Sequence, residues 1–217
     1  MRSTEFIVEG VNIGAIEQIA ANIKRDCQPF LKSIRWPNNT KWLYRGMNIR
    51  AGQPAEAYLE PFPIRTDRRP LHTAAGASKV VDDWLYAKVG WYPRSQGLFA
   101  TGSIRAASDF GNVHAIFPTG PFNSIWSESI SDMTYAVSCA IGTVAKSEEE
   151  DRDYAALTPK LIKMLEAGKW HKNDSIATYL DTASKNEIVI SAASFYALPL
   201  AVANKQIPLD LVKEYLK

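Results

Sequence analysis

Residues 97–118 constrain this chain more than any other stretch. They read Gly-Leu-Phe-Ala-Thr-Gly-Ser, then Ile-Arg-Ala-Ala-Ser-Asp-Phe-Gly, then Asn-Val-His-Ala-Ile-Phe-Pro. Leu98, Phe99 and Ala100 form an apolar run that Gly102 interrupts, the signature of a short strand. Ser103 is a good N-cap for a helix over Ile104 to Phe110, and Gly111 suits the position just past its end. Val113, Ile116 and Phe117 resume a β-prone run that Pro118 stops. The segment therefore predicts strand, one short helix, strand. Thr101, Gly102 and Ser103 fall where a strand end meets a helix N-terminus. That junction offers hydroxyls and backbone N–H groups to a ligand, often an anion. An ordinary helix cap explains the same three residues.

Composition narrows the classes around this unit. A chain of 217 residues can bury a proper core, and one domain over 1–217 is expected, with a helical N-terminal part over about 1–36. The net charge of +2 supplies no strong field for nucleic acid or a membrane surface. Cys27 and Cys139 are too few for a disulfide scaffold and lack metal-ligand spacing, so no metal is expected. The opening residues lack the apolar run of a signal peptide, and no stretch is long enough to span a bilayer. A cytoplasmic protein with no membrane partner is the expectation.

Along the chain, Ile13, Ile16, Ile19, Ala20, Ile23, Cys27, Phe30 and Leu31 recur at helical spacing and predict one amphipathic helix. Lys41 to Met47 is a β-prone run that carries Arg45. A buried arginine in a strand calls for an anionic partner, whereas an edge strand would let it reach solvent. Gly46 beside it permits close approach of another molecule to the backbone. Residues 52–70 hold four prolines and Arg65, Arg68 and Arg69, and read as a loop whose arginines are solvated or meet phosphate. His72 follows, a lone histidine of the kind that is more often structural than catalytic. Helices are expected over Ser78 to Lys88, from Thr158-Pro159 to Gly168, and from Ile207 onward. Residues 133–144 fit a helix or a buried strand, and 176–180 likewise. Glu187-Ile188-Val189-Ile190-Ser191 reads as a strand that opens with a carboxylate, and Phe195 to Leu198 as the next.

Arg45, then Thr101 or Ser103, then Glu187 stand at three strand edges in that order. With their settings they resemble the Arg–Ser–Glu class of mono-ADP-ribosyltransferases, which includes toxin-like and phage-encoded enzymes. The residues that carry the likeness are Tyr44-Arg45-Gly46, Phe99 to Ser103 with the small-residue helix Ala106 to Gly111 and the strand Val113 to Pro118, and Glu187-Ile188-Val189-Ile190. It covers roughly Trp42 to Leu198. It implies an α+β fold with a split, mainly antiparallel β core and helices packed at the N-terminal side. It also implies NAD as substrate, transfer of ADP-ribose to an acceptor and release of nicotinamide. Glu187 would stabilise the oxocarbenium-like state, Arg45 would pair with the NAD phosphates, and Ser103 or Thr101 would hydrogen-bond the ribose. Backbone at Gly46 would meet the nicotinamide amide, and Phe110, Phe117 or Tyr196 would stack on its ring. Two departures bear on the acceptor and the middle motif. Lys185 stands where arginine-modifying members carry Glu and others Gln. Thr101 and Gly102 replace the usual Ser-Thr start. The acceptor, whether protein, nucleic acid or small molecule, stays open. An NAD glycohydrolase is one alternative reading. Another is a binding or structural protein, of a phage for instance, that keeps the fold without catalysis. A phage-encoded member would work in the host cytoplasm.

Overall fold

The computed structural model describes residues 13–39, 41–48, 55–68, 73–142, 154–200 and 209–216. Arg69 and His72 lie outside them. Residues 97–118 fold as their pattern predicts: strand β3 (Leu98–Thr101), helix α5 (Ile104–Ser108) and strand β4 (Asn112–Pro118). Ser103 Oγ accepts the N–H of Ala106 at 3.2 Å, which is the expected cap. The helix stops two residues short of Phe110, and Asp109 ends it.

β3 and β4 are not neighbours, because β1 (Tyr44–Met47) lies between them. With β2 (Phe62–Pro63), β5 (Asn123–Ser127), β6 (Trp170–Lys172), β7 (Glu187–Ser191) and β8 (Ser194–Pro199) they form one eight-stranded sheet. Its order is β2-β8-β4-β1-β3-β7-β5-β6, and every pairing is antiparallel. β1 runs against β4 over four residue pairs but meets β3 only at Tyr44 and Thr101. The sheet thus consists of two four-stranded groups joined at one point. β2, β5 and β6 fall in stretches without a strand pattern. β2 is a two-residue edge strand that ends in Pro63, a place where a missing N–H is tolerated.

Helices flank this sheet as expected, and they come from the whole length of the chain in addition to its N-terminal side. The larger core gathers α1 (Ile13–Asp26), α2 (Gln28–Ser33), α8 (Ile176–Thr182) and α9 (Leu209–Leu216). The smaller one lies under α3 (Ala75–Val89), α6 (Met133–Ile141) and α7 (Tyr154–Ala167), against Ile125 and Val189. β7 is apolar throughout its middle because it serves both: Ile188 and Ile190 enter the larger core and Val189 the smaller.

Three helices depart from the sequence pattern. The predicted N-terminal helix divides at Cys27, with Pro29 in the first turn of α2. A proline there cannot donate to the preceding turn and clashes with its carbonyl. α7 runs from Tyr154, five residues before Pro159, and carries that proline inside, so the Pro signal marks a position in the helix and not its beginning. Residues 133–141 resolve as helix, capped by Asp132 Oδ1 on the Tyr135 N–H at 2.7 Å. Among the described residues, no helix is long and apolar enough to cross a membrane.

Candidate active site

The site lies where β1 leaves β3. Tyr44, Thr101 and Glu187 stand in register across β1, β3 and β7. Strands about 4.8 Å apart place the backbones of Arg45 and Glu187 roughly 10 Å from each other. Tyr44 is buried in the larger core, so its strand neighbour Arg45 points to the opposite side. Arg45 Nη1 donates to the Phe99 carbonyl at 2.6 Å, which bridges the gap between the diverging strands.

Two more arginines converge there. Arg68, just past β2, donates from Nη1 to the Gly97 carbonyl at 3.0 Å and from its backbone N to Ser95 O at 3.1 Å. Its guanidinium sits 4.6 Å over the Phe99 ring. Arg94 belongs to the short helix α4 (Pro93–Gln96). Its Nε donates to Ser78 Oγ and its Nη2 to Thr73 Oγ1, both at 3.2 Å. Asp82 of α3, only 7% exposed, fixes α4 by accepting from Arg94 N at 2.8 Å, Ser95 N at 3.2 Å and Ser95 Oγ at 2.7 Å. The stretch from Arg94 to Phe99 thus carries one of the three arginines and anchors the other two. Gly97 is required in it, because a Cβ would stand 2.2 Å from Val189 Cγ1 and 2.4 Å from the Pro93 carbonyl.

Glu187 opens β7 and donates its N–H to Ser131 O at 2.8 Å, which ties the strand to the loop that carries Asp132. The residue is partly exposed at the strand end, but its carboxyl is enclosed. Burial pushes that carboxyl up to about 7. Arg94 opposes the shift most, Asp132 adds to it, and Arg68 and Arg45 oppose it further. Burial likewise lowers Arg45, to about 10, with Arg68 adding to the effect, and it lowers Arg68 and Arg94. Among the described residues, none of the three arginines forms an ion pair with Glu187. Glu187 and Arg94 line one small cavity with Leu85, Ile125, Trp170 and Val189. Its volume, about 20 Å³, has room for about one water.

No protein-family model, curated protein or solved structure matches the chain.

The structure brings Arg45, Thr101 and Glu187 together. Thr101 is buried, donates from Oγ1 to Ser184 O at 3.2 Å and accepts the Ser103 N–H at 3.1 Å. Ser103 is half-buried beside it, with its oxygen engaged as the α5 cap. Gly46 has a different role from the one expected. The molecule that approaches its backbone is the chain's own α5, since a Cβ there would meet Ala107 O at 2.2 Å and Phe110 C at 2.7 Å. Of the three aromatic candidates, Phe110 is 61% exposed, whereas Phe117 and Tyr196 are 0% and 2% exposed in the larger core. Tyr196 also donates its hydroxyl to Asp26 Oδ2 at 2.7 Å. Those two rings are thereby removed as stacking partners. Lys185 is exposed, and Arg65 pairs with Asp67 in solvent.

The sequence pattern misses Arg94, Asp82, Asp132 and Tyr179, and leaves Arg68 as one basic loop residue among three. Tyr179 sits at the back of the site. Its hydroxyl accepts the Gly102 N–H at 3.1 Å and donates to Asn186 O at 2.5 Å, so it clamps the Thr101–Ser103 turn to the residue before Glu187. Burial raises this phenol far above its ordinary range, which keeps it a hydrogen-bond donor. Chemically, the join of the two strand groups offers one carboxyl pushed up to about 7 by burial, with three guanidinium groups around it. That set can take up an anion and stabilise a developing positive charge at one place.

Proposed function

We propose that this chain is a mono-ADP-ribosyltransferase of the Arg–Ser–Glu type, with the split-sheet fold of that class, and that it cleaves NAD in the cleft between β1 and β3. The observation that carries this reading is the convergence of Arg45 and Glu187 at the single point where the two strand groups join. In the reaction, the bond between the ribose C1′ and the nicotinamide nitrogen breaks. Its electron pair goes to the pyridinium ring, which leaves as neutral nicotinamide. The ribosyl centre becomes oxocarbenium-like and is trapped by the acceptor, which gives up a proton.

Glu187 in its ionised form stabilises the positive charge that develops on the ribose. Arg45, oriented by the Phe99 carbonyl, presents its remaining donors to phosphate oxygens. The Thr101–Ser103 turn, clamped by Tyr179, sets Ser103 at the ribose. Exposed Phe110 is the ring left to stack on nicotinamide. Lys185 favours a second reading for the acceptor. A cation two residues before Glu187 repels an arginine acceptor, which points to a neutral acceptor or to water, the latter making the protein an NAD glycohydrolase.

The test is nicotinamide release at saturating NAD, with and without cell lysate as acceptor, by wild-type and Glu187→Gln protein. Turnover should fall about a hundredfold to a thousandfold in the variant, with NAD affinity changed much less. Equal turnover removes Glu187 from the reaction. Release by neither protein supports a binding protein without catalysis.

A further inference from the structure

We propose that Arg94 is the positioning residue for Glu187: locked in place by α3 and Thr73, it faces the carboxyl across their shared cavity and favours its ionised form against burial. This inference rests on the reading of Glu187 as the group that meets the reacting ribose.

The geometry distinguishes Arg94 from the other two arginines. Its guanidinium bonds are to Ser78 and Thr73, which are neutral hydroxyls, and Glu187 is the carboxyl that favours its charge most, ahead of Asp82 and Asp132. Asp82 is the nearest acid on its own side, and its oxygens are occupied by the backbone of residues 94 and 95 and by the Ser95 hydroxyl. Arg94 and Glu187 both line the same cavity, which is otherwise largely apolar, so little solvent screens the charge between them. The groups that face Glu187 are Arg94 from α4, Asp132 from the α6 cap, Arg68 from the loop after β2, Arg45 from β1 and Tyr179 from α8. Asp132 favours the protonated form, and burial does so more strongly; among the cations Arg94 opposes them most. In the proposed reaction the charge of Arg45 is engaged by phosphate. Arg94 is tethered away from that role and stays with the carboxylate throughout.

The test uses the full chain with 13C-labelled glutamate, following the Glu187 side-chain carboxyl by NMR across pH. In Arg94→Met the titration midpoint should rise by about one pH unit or more, as expected for loss of an adjacent opposite charge. Arg94→Lys should recover part of the shift. Ser78→Ala with Thr73→Val loosens the guanidinium without removing it, and should raise the midpoint by a smaller amount even if Arg94→Met fails to fold. The acid limb of nicotinamide release should move up by the same interval, while the rate at high pH is retained. A midpoint unchanged in these variants overturns the role of Arg94. If the midpoint moves as stated but no variant and no wild-type protein releases nicotinamide, the positioning role stands and the NAD reading falls.

Discussion

Replacing Glu187 with glutamine should stabilise the protein, and only at high pH. The enclosed carboxyl titrates at about 7 in the folded chain, against an ordinary value of 4.5. Between those values the folded protein retains a proton that the unfolded chain has released. Stability therefore falls as pH rises through this window, is highest below 4.5 and reaches its lower plateau above about 7. The full gap is worth about 3 kcal/mol, the cost of ionising a carboxyl among Leu85, Ile125 and Val189 despite three nearby arginines. Glutamine keeps the shape of the protonated acid and does not titrate. Wild-type and variant should be equally stable near pH 4, and the variant should gain up to about 3 kcal/mol by pH 8.5. For a chain of this length that corresponds to a rise in Tm of about 6 °C or more. Urea unfolding of both proteins at a series of pH values measures it. A variant less stable than wild type at pH 8.5 would show that the arginines outweigh burial. A difference independent of pH would place the carboxyl in solvent.

Two further substitutions probe the join between the strand groups. Arg45→Lys keeps the charge but loses the planar fork and the bond to Phe99 O, so NAD affinity measured by calorimetry should fall about tenfold and Tm should fall by a few degrees; unchanged affinity would separate Arg45 from the ligand. Gly46→Ala drives a Cβ into the Ala107 carbonyl at 2.2 Å, and backbone atoms cannot swing aside as a side chain can. Urea unfolding should show a loss of about 1–3 kcal/mol, and a neutral result would mean that α5 does not pack on β1 as described.

Much of the local structure is legible in the chain itself. The β3–α5–β4 unit, the apolar middle of β7 and the Ser103 cap follow from side-chain branching, alternation and hydrogen bonding within a few residues. Arg45 and Glu187 are also legible as candidates, because a charge set in a β-prone run is conspicuous. Other features have no local signal. β2 and β6 are too short to show a period and exist because β8 and β5 supply their hydrogen bonds. Nothing near Arg94 announces its role, since Ser78, Thr73 and Glu187 reach it from distant parts of the chain. Gly46 reads as a place for a ligand until α5 is seen to occupy it. The candidate site depends on β1 entering between β3 and β4 and touching β3 at one residue pair. Local preferences set how each segment bends and which of its faces avoids water. Which segments lie side by side, and hence which charges are buried together, is decided by the packing of the whole chain.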